Sequence, residues 1–305
     1  FTALDAITTG DNNVAIGYTA GGAVTTGIKN TLIGADVGSA LTIGNNNTAL
    51  GYGALNASVD GDNNTAIGFA ALLAYEDGDG NGHNTAVGAS SQFAASTGEF
   101  NTSLGSLSMG AGVVTGDYNV AIGNEAGKAL TSGGLNTLVG GKAGDALTTG
   151  SSNTAVGYRA LTTEDGHGRN TALGHEALAT QNAGADAYNT AVGYIAGKST
   201  TTAIENTLIG SFAGDAITTG SSNTALGYHS LGAENTGSRA VAIGYGTLHN
   251  QDYNGSSYNV AVGYDAGAAV TSGIQNTIIG GLAGDALTTG ARNVAIGYGA
   301  LSTED

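Results

Sequence analysis

The sequence predicts an all-β protein, a parallel β-solenoid of about seventeen coils with seventeen residues in each coil. Three observations lead to this prediction: a short motif that returns once in every seventeen residues, 54 glycines without a single proline, and aliphatic and Thr-rich segments at fixed places between the glycines. Repeating units this short cannot bury a core alone, so they are stable only when they stack on one another.

The repeated motif begins with Asn, continues with Thr or Val and two small or aliphatic residues, and ends in Gly. It begins at residues 13, 30, 47, 64, 84, 101, 119, 136, 153, 170, 189, 206, 223, 259, 276 and 293, and Ala240 replaces the Asn in one further copy. The spacings that follow the copies at 64, 101, 170 and 240 are longer, between eighteen and twenty residues. We expect these extra residues to bulge from turns while the strands remain aligned.

The glycine and proline contents favour dense β-structure over disorder. Proline has no N–H group to donate to a sheet, so a fold in which nearly every N–H is used excludes it. Glycine forms tight turns at low steric cost. Aliphatic and β-branched segments between fixed glycines predict two short strands in each coil, because a helix does not tolerate a glycine in every turn.

Charge and residue usage restrict the possible functions. The formal net charge is −16 with only 8 Lys and Arg, which argues against nucleic acid and anionic membranes as partners. We find no long apolar run and therefore predict no membrane-spanning part in this segment. The five histidines show no catalytic or metal-binding spacing, so we predict solvated turn histidines and no enzymatic activity. They are His83, His167, His175, His229 and His249.

Positions in a coil are numbered from its Asn, and stacking places identical positions in columns. Position 4 is always Ile, Val or Leu, and we expect it to be buried in every coil. Stacked Asn amides can hydrogen-bond along the axis, and Asn tolerates a left-handed backbone at corners. The predicted structural columns include Asn136, Asn153, Asn206 and Asn223, then Gly140, Gly157, Gly210 and Gly227, and finally Ile209 and Ile279.

A longer period, of seventy residues, groups the coils into fours. Position 9 runs Gly, Gly, Leu, Leu; position 12 tends to be aliphatic after Gly and polar after Leu, as at Glu164 and Glu234. The pattern is degenerate at 84–118. Because the chain begins and stops within a unit, we expect residues 1–305 to be a single continuous array, an internal window of a longer fibre chain.

The coils are expected to assemble because their core is thin. Each coil offers one aliphatic residue at position 4, a second at position 9 or 12, and a few alanines. Ordering the backbone costs about 1 kcal/mol or more per residue, which so little apolar surface does not offset without a neighbour. We therefore predict a parallel homotrimer.

Two local features suggest ligands. Asp77, Asp79 and Asn81 have the spacing of a calcium loop, but Gly88 occupies the place of its closing Glu, so a solvated acidic loop is the alternative. No other cofactor is predicted. Position 6 carries a column of Tyr, which is either a packed aromatic column or a stripe that contacts carbohydrate. Its members are Tyr18, Tyr52, Tyr158, Tyr194, Tyr228, Tyr245, Tyr264 and Tyr298, with Phe69.

The segments NTALGYGAL (47–55), NTAVGYRAL (153–161) and NVAIGYGAL (293–301) resemble the NTAxGYxAL repeats of bacterial and phage fibre proteins, which often end in an endosialidase-type chaperone domain. They are also similar to the repeats of YadA-type heads in trimeric autotransporter adhesins, although the present coils are longer. This resemblance covers essentially the whole chain. It implies a trimeric, left-handed β-roll located outside the cell, on a cell surface or on a virion.

The sequence therefore favours a fibre shaft or adhesin segment whose partner is itself, with a host-surface glycan or protein as a possible receptor. A glycan-binding or an ice-binding solenoid is the alternative. Ice binding needs a flat Thr array, which the pairs at 25–26, 148–149, 218–219 and 288–289 suggest. The acidic pairs Glu76–Asp77 and Glu164–Asp165 interrupt that array.

Overall fold

A computed structural model of the chain describes residues 2–76 and 81–302, and its regular structure is a set of short parallel strands. The chain divides into two compact units, Phe1–Ser152 and Asn153–Asp305. Each unit is a parallel β-solenoid with about 17 residues in each turn, which confirms the predicted fold class. Within the described ranges the chain forms no α-helix.

Each strand covers positions 2 to 4 of one coil. The first unit contains β1 (Val14–Ile16), β2 (Thr31–Ile33), β3 (Thr48–Leu50), β4 (Thr65–Ile67), β5 (Thr85–Val87), β6 (Thr102–Leu104), β7 (Val120–Ile122) and β8 (Thr137–Val139). The second contains β9 (Thr154–Val156), β10 (Thr171–Leu173), β11 (Thr190–Val192), β12 (Thr207–Ile209), β13 (Thr224–Leu226), β14 (Val241–Ile243), β15 (Val260–Val262), β16 (Thr277–Ile279) and β17 (Val294–Ile296).

Strand register survives the longer spacings, as the sequence predicts. The longest step, which follows the copy at 64, still pairs Ile67 with Val87. The other three long steps likewise keep equivalent positions opposite one another, and the pairs are Leu104 with Ile122, Leu173 with Val192, and Ile243 with Val262. The strand columns therefore remain aligned across all four longer steps.

The expectation of two strands in each coil is wrong, because each described coil contains one. The remaining backbone still bonds to the next coil, for example from Thr201 N–H to Thr218 O over 2.9 Å. Left-handed residues at positions 7 and 9 interrupt the extended geometry there; Phe212 has φ 58° and Gly214 has φ 55°. Coil-to-coil hydrogen bonding thus continues through turns instead of through a second strand.

The predicted burial of position 4 is also wrong. Ile209 is half-buried and Ile279 is 38% exposed, and no position 4 residue is buried in the single chain. Side chains alternate along a strand, so position 3 faces the interior while positions 2 and 4 face outward. Leu208, the position 3 neighbour of Ile209, has no exposed surface.

The longer period of four coils follows from the packing of position 3. A Cβ added to Gly197 would lie 2.6 Å from Leu208 Cδ1, and one added to Gly214 would lie 2.8 Å from Leu208 Cδ2. The two glycines at position 9 therefore leave the space that one large position 3 residue fills. Leu32, Leu138 and Ile278 occupy the same place beside their own glycine pairs.

Leucine replaces glycine at position 9 in most of the other coils without a change of backbone conformation. Leu231 and Leu248 both have φ 50° and no exposed surface. A left-handed conformation costs an L-residue roughly 1–2 kcal/mol, and full burial of a Leu side chain contributes a similar amount. Burial thus offsets the strain at these corners.

Candidate functional site

The Asn column forms a ladder of hydrogen bonds inside each unit, which is interrupted in the second unit at Ala240. Asn206 N–H donates to Asn189 Oδ1 over 2.8 Å, and Asn206 Oδ1 accepts the N–H of Asn223 over 2.9 Å. The Asn206 amide nitrogen also donates to Gly220 O over 2.9 Å. Asn206 is buried, and the predicted bonding of Asn side chains along the axis is confirmed.

The other predicted Asn residues have equivalent bonds. Asn136 N–H donates to Asn119 Oδ1 over 3.0 Å, and Asn153 Oδ1 accepts the N–H of Asn170 over 3.1 Å. The left-handed corner, however, lies one residue earlier than expected, as at Glu205 with φ 60°. The Asn thus follows the left-handed residue of the corner, and its side chain holds the corner by hydrogen bonds to the backbone of neighbouring coils.

The Gly column at position 5 has a backbone that other residues rarely adopt. The φ values are 135° at Gly140, 136° at Gly157, 134° at Gly210 and 138° at Gly227. At these residues the chain leaves the strand and turns, and successive coils approach closely there.

Two surface columns lie outside the core. The outer aliphatic column consists of the position 4 residues, which are half-buried or exposed; Ile16 and Ile296 are the most exposed, at 60% and 65%. The aromatic column consists of the position 6 rings. In the second unit, Tyr245 stacks on Tyr228 and on Tyr264 with centroid distances of 5.3 Å and 5.2 Å. The column is thus packed along the axis and exposed sideways.

Three histidines lie in aromatic stacks; His83 and His175 remain exposed to solvent, whereas His229 is half-buried. His83 stacks on Phe100 at 4.9 Å, and His229 stacks on Phe212 at 4.8 Å. His175 lies 5.3 Å from the ring of Tyr194. The sequence could have predicted this stacking, because these histidines align with aromatic residues of adjacent coils, and rings separated by the distance between strands stack on one another.

A cavity of about 460 Å³ opens beside the aromatic column of the second unit. Its walls combine two aromatic rings, two histidines and one carboxylate. The lining residues are Tyr228, His229, Tyr245, Gly246, His249, Asp265 and Ala268. Aromatic walls with a few polar groups are typical of small-molecule sites.

Two other sequence hypotheses meet different outcomes. Of the calcium candidates, Asp77 and Asp79 lie outside the described residues, while the Asn81 carbonyl accepts a 2.9 Å hydrogen bond from the Tyr75 hydroxyl. In the Thr-rich turns, the Thr201 hydroxyl donates to Thr218 O over 3.0 Å. The Thr218 hydroxyl donates in turn to Asn235 O over 3.2 Å, whereas Thr219 beside it is exposed, so the ice-binding hypothesis stays untested.

A cluster that the sequence did not predict lies in the turn of coil 153–169. Glu164, Asp165 and His167 place one potential ligand atom each within 4.8 Å of one another. The pattern of position 12 was the available signal, since Glu164 and Glu234 are acidic residues at a position that is aliphatic in the coils with Gly at position 9. Both glutamates are buried.

The buried Glu234 makes stability depend on pH. Burial raises its pKa above the ordinary value of 4.5, against the lowering effect of the hydrogen bond from Gln251; the Asp252 charge raises it further. The folded chain thus binds this proton more tightly than the unfolded chain. The stabilising contribution is complete below pH 4.5 and is lost as the pH rises through the folded-state pKa.

We expect Glu234→Gln to remove this pH dependence. From pH 4 to pH 8 the free energy of unfolding of the variant should rise relative to that of the unchanged chain, by about 1.4 kcal/mol for each unit of pKa elevation. Denaturant unfolding followed by circular dichroism at several pH values measures the difference. The prediction is contradicted if the difference between the two chains does not change with pH; altered hydrogen bonds would only add the same amount at every pH.

Comparison of the chain with protein-family models, with curated proteins and with solved structures gave no match. A search of residues 2–76 and 81–302 for a helix long and apolar enough to cross a membrane also found none.

Proposed function

We propose that the chain is a non-catalytic structural segment of a fibre outside the cell, on a cell or virion surface, and that it assembles as a parallel homotrimer. The outer aliphatic column is the observation that carries this proposal. In every coil an Ile, Val or Leu of the strand faces away from the core, and none of these side chains is buried in the single chain.

A regular column of exposed aliphatic residues is costly on a protein that remains alone in water. Exposed apolar patches of this kind mark surfaces that contact other proteins. Because the column repeats with the coil, a parallel copy of the same chain presents a matching column coil by coil. The negative charge then lies on the outside, where it discourages sideways aggregation.

Charged substitutions in the column test the assembly. The unchanged chain should have three times the monomer mass of 29.6 kDa in multi-angle light scattering. The triple variant Ile209→Asp, Leu226→Asp, Ile243→Asp should be a folded monomer, because these side chains face outward. A stable folded monomer of the unchanged chain at micromolar concentration would refute the trimer.

A matched control adds the same charge to the same three coils at other exposed places. Thr219→Asp, Ala233→Asp and Asn250→Asp should leave the trimer intact, since these exposed residues lie outside the column. If the control also dissociates the assembly, repulsion between charges explains the effect and the outer aliphatic column is not the interface.

Saccharide binding is a second candidate, favoured by the cavity beside the aromatic column. Tyr228 and Tyr245 offer exposed ring edges and phenol hydroxyls, and His249 and Asp265 offer polar groups for sugar hydroxyls. This role is compatible with a fibre, since an adhesin needs both a rigid shaft and a receptor site.

A further inference from the structure

The cluster of Glu164, Asp165 and His167 combines a buried carboxylate with two groups near solvent. The Glu164 side chain is completely buried, that of His167 is 32% exposed, and Asp165 is exposed. One carboxylate oxygen from each acid and one imidazole nitrogen lie within 4.8 Å of one another. The three groups therefore converge on a place that opens to solvent at one side.

The bonding of Glu164 leaves one oxygen incompletely satisfied. Its Oε1 accepts the backbone N–H of His167 over 3.1 Å and lies 3.5 Å from His167 Nδ1. Its Oε2 is buried and accepts no hydrogen bond of ordinary geometry, although the Ala183 backbone N–H also acts on the carboxylate, and His167 Nδ1 likewise has no hydrogen-bond partner. A buried polar atom without a partner costs about 1–3 kcal/mol, and more when the group is charged, so this arrangement requires an explanation.

The equivalent coil shows how the chain satisfies a glutamate at this position. Glu234 occupies the same place as Glu164 one longer period later, and its Oε1 accepts the N–H of Gly237 over 2.7 Å. Its Oε2 accepts the side-chain amide of Gln251 over 2.8 Å. Both oxygens of Glu234 are therefore bonded within the chain.

Gln181, which is equivalent to Gln251, does not donate a hydrogen bond to Glu164. Gln181 and Gln251 both accept a hydrogen bond from an Asn of the column, over 3.0 Å and 2.7 Å. The Gln181 amide nitrogen, however, donates to Ala203 O over 3.4 Å. Glu164 therefore lacks the amide bond that Glu234 receives, and the turn after it carries an Asp and a His where the equivalent turn carries Asn235 and Gly237.

We propose that Glu164, Asp165 and His167 bind one divalent transition-metal ion of the zinc, cobalt or nickel type. Two carboxylates and an imidazole suit these ions, whereas calcium and magnesium prefer oxygen ligands alone. Arg169 in the same turn is ion-paired with Asp186. Water completes the coordination from the exposed side, and the ion cross-links the turn to the core.

Titration of the full chain with zinc chloride in a calorimeter tests the site. We expect one saturable site per chain in this turn, and cobalt chloride should give the visible absorption of a nitrogen- and oxygen-ligated ion. Glu164→Gln should weaken zinc binding about tenfold or more. Zinc should also raise the melting temperature of the unchanged chain, because a ligand that binds the folded state stabilises it.

The chain offers its own control for folding. The double variant Asp165→Asn, His167→Gly replaces the two proposed ligands by the residues found at the equivalent positions after Glu234, and it should lose zinc binding while it keeps its circular dichroism spectrum. Glu234→Gln should leave zinc binding unchanged.

Three results would overturn the proposal: no saturable zinc binding, the same affinity in Glu164→Gln and in the double variant as in the unchanged chain, or calcium binding as tight as zinc binding. None of these measurements depends on whether the chain forms a trimer.

Discussion

Gly210→Ala is expected to unfold the coils around it, with a loss of about 4 kcal/mol or more in the free energy of unfolding. A Cβ at this position would lie 2.5 Å from the carbonyl oxygen of Gly227 and 2.6 Å from its carbonyl carbon. The backbone cannot retreat, since Gly210 N–H is bonded to Val192 O over 2.8 Å. The φ of 134° adds strain of about 1–3 kcal/mol for a residue with a side chain.

Gly184→Ala is the control for this substitution. Gly184 also has a positive φ, 71°, but an added Cβ would meet no atom within 4 Å. Denaturant unfolding of both variants, followed by circular dichroism, separates backbone strain from collision with the next coil. Equal losses in the two variants would mean that successive coils can move apart and that the close approach is not essential.

Asn206→Ala is expected to cost about 2–5 kcal/mol, because it leaves two buried backbone groups without partners. The N–H of Asn223 loses its acceptor and the carbonyl of Gly220 loses its donor. No water reaches these groups, since Asn206 is buried between its neighbours in the column. The loss should be local to the adjacent coils, as in other repeat proteins.

Thermal unfolding of Asn206→Ala should be compared with that of Thr219→Ala, an exposed position in the same coil. We expect the control to change stability by less than about 0.5 kcal/mol. If the two variants melt alike, the Asn column contributes no net stability. Ala240 shows that one coil can lack the Asn side chain; its N–H still donates to Asn223 Oδ1 over 2.9 Å.

Much of the fold could be predicted because the repeat constrains it. A motif that returns at a fixed interval determines that equivalent positions meet, and the pairing of Ile67 with Val87 shows that an added turn does not disturb this. The roles of Asn206 and Gly210 also follow from sequence, since a side-chain amide and a missing Cβ at a fixed place each have few uses in a stacked coil.

The predicted core failed at position 4 for a physical reason. Ile209 is larger and more apolar than most position 3 residues, so hydrophobicity alone assigns it to the interior. The direction of a three-residue strand is decided by the turns that follow it, and left-handed residues form those turns. The left-handed conformation of Phe212 at position 7 and of Leu231 at position 9 could not be predicted from the sequence, because Phe and Leu seldom adopt it.

The sequence by itself thus determined the stacked coil, the alignment of its columns and the Asn and Gly residues that hold it, because identical units a fixed distance apart can satisfy their backbones only by pairing in register. Tertiary structure alone decided which side chains face inward and which buried groups lack a partner. Glu164 is an example. Its Oε2 receives no side-chain hydrogen bond because the amide of Gln181 donates to Ala203 O instead, and the packing between coils determines that orientation.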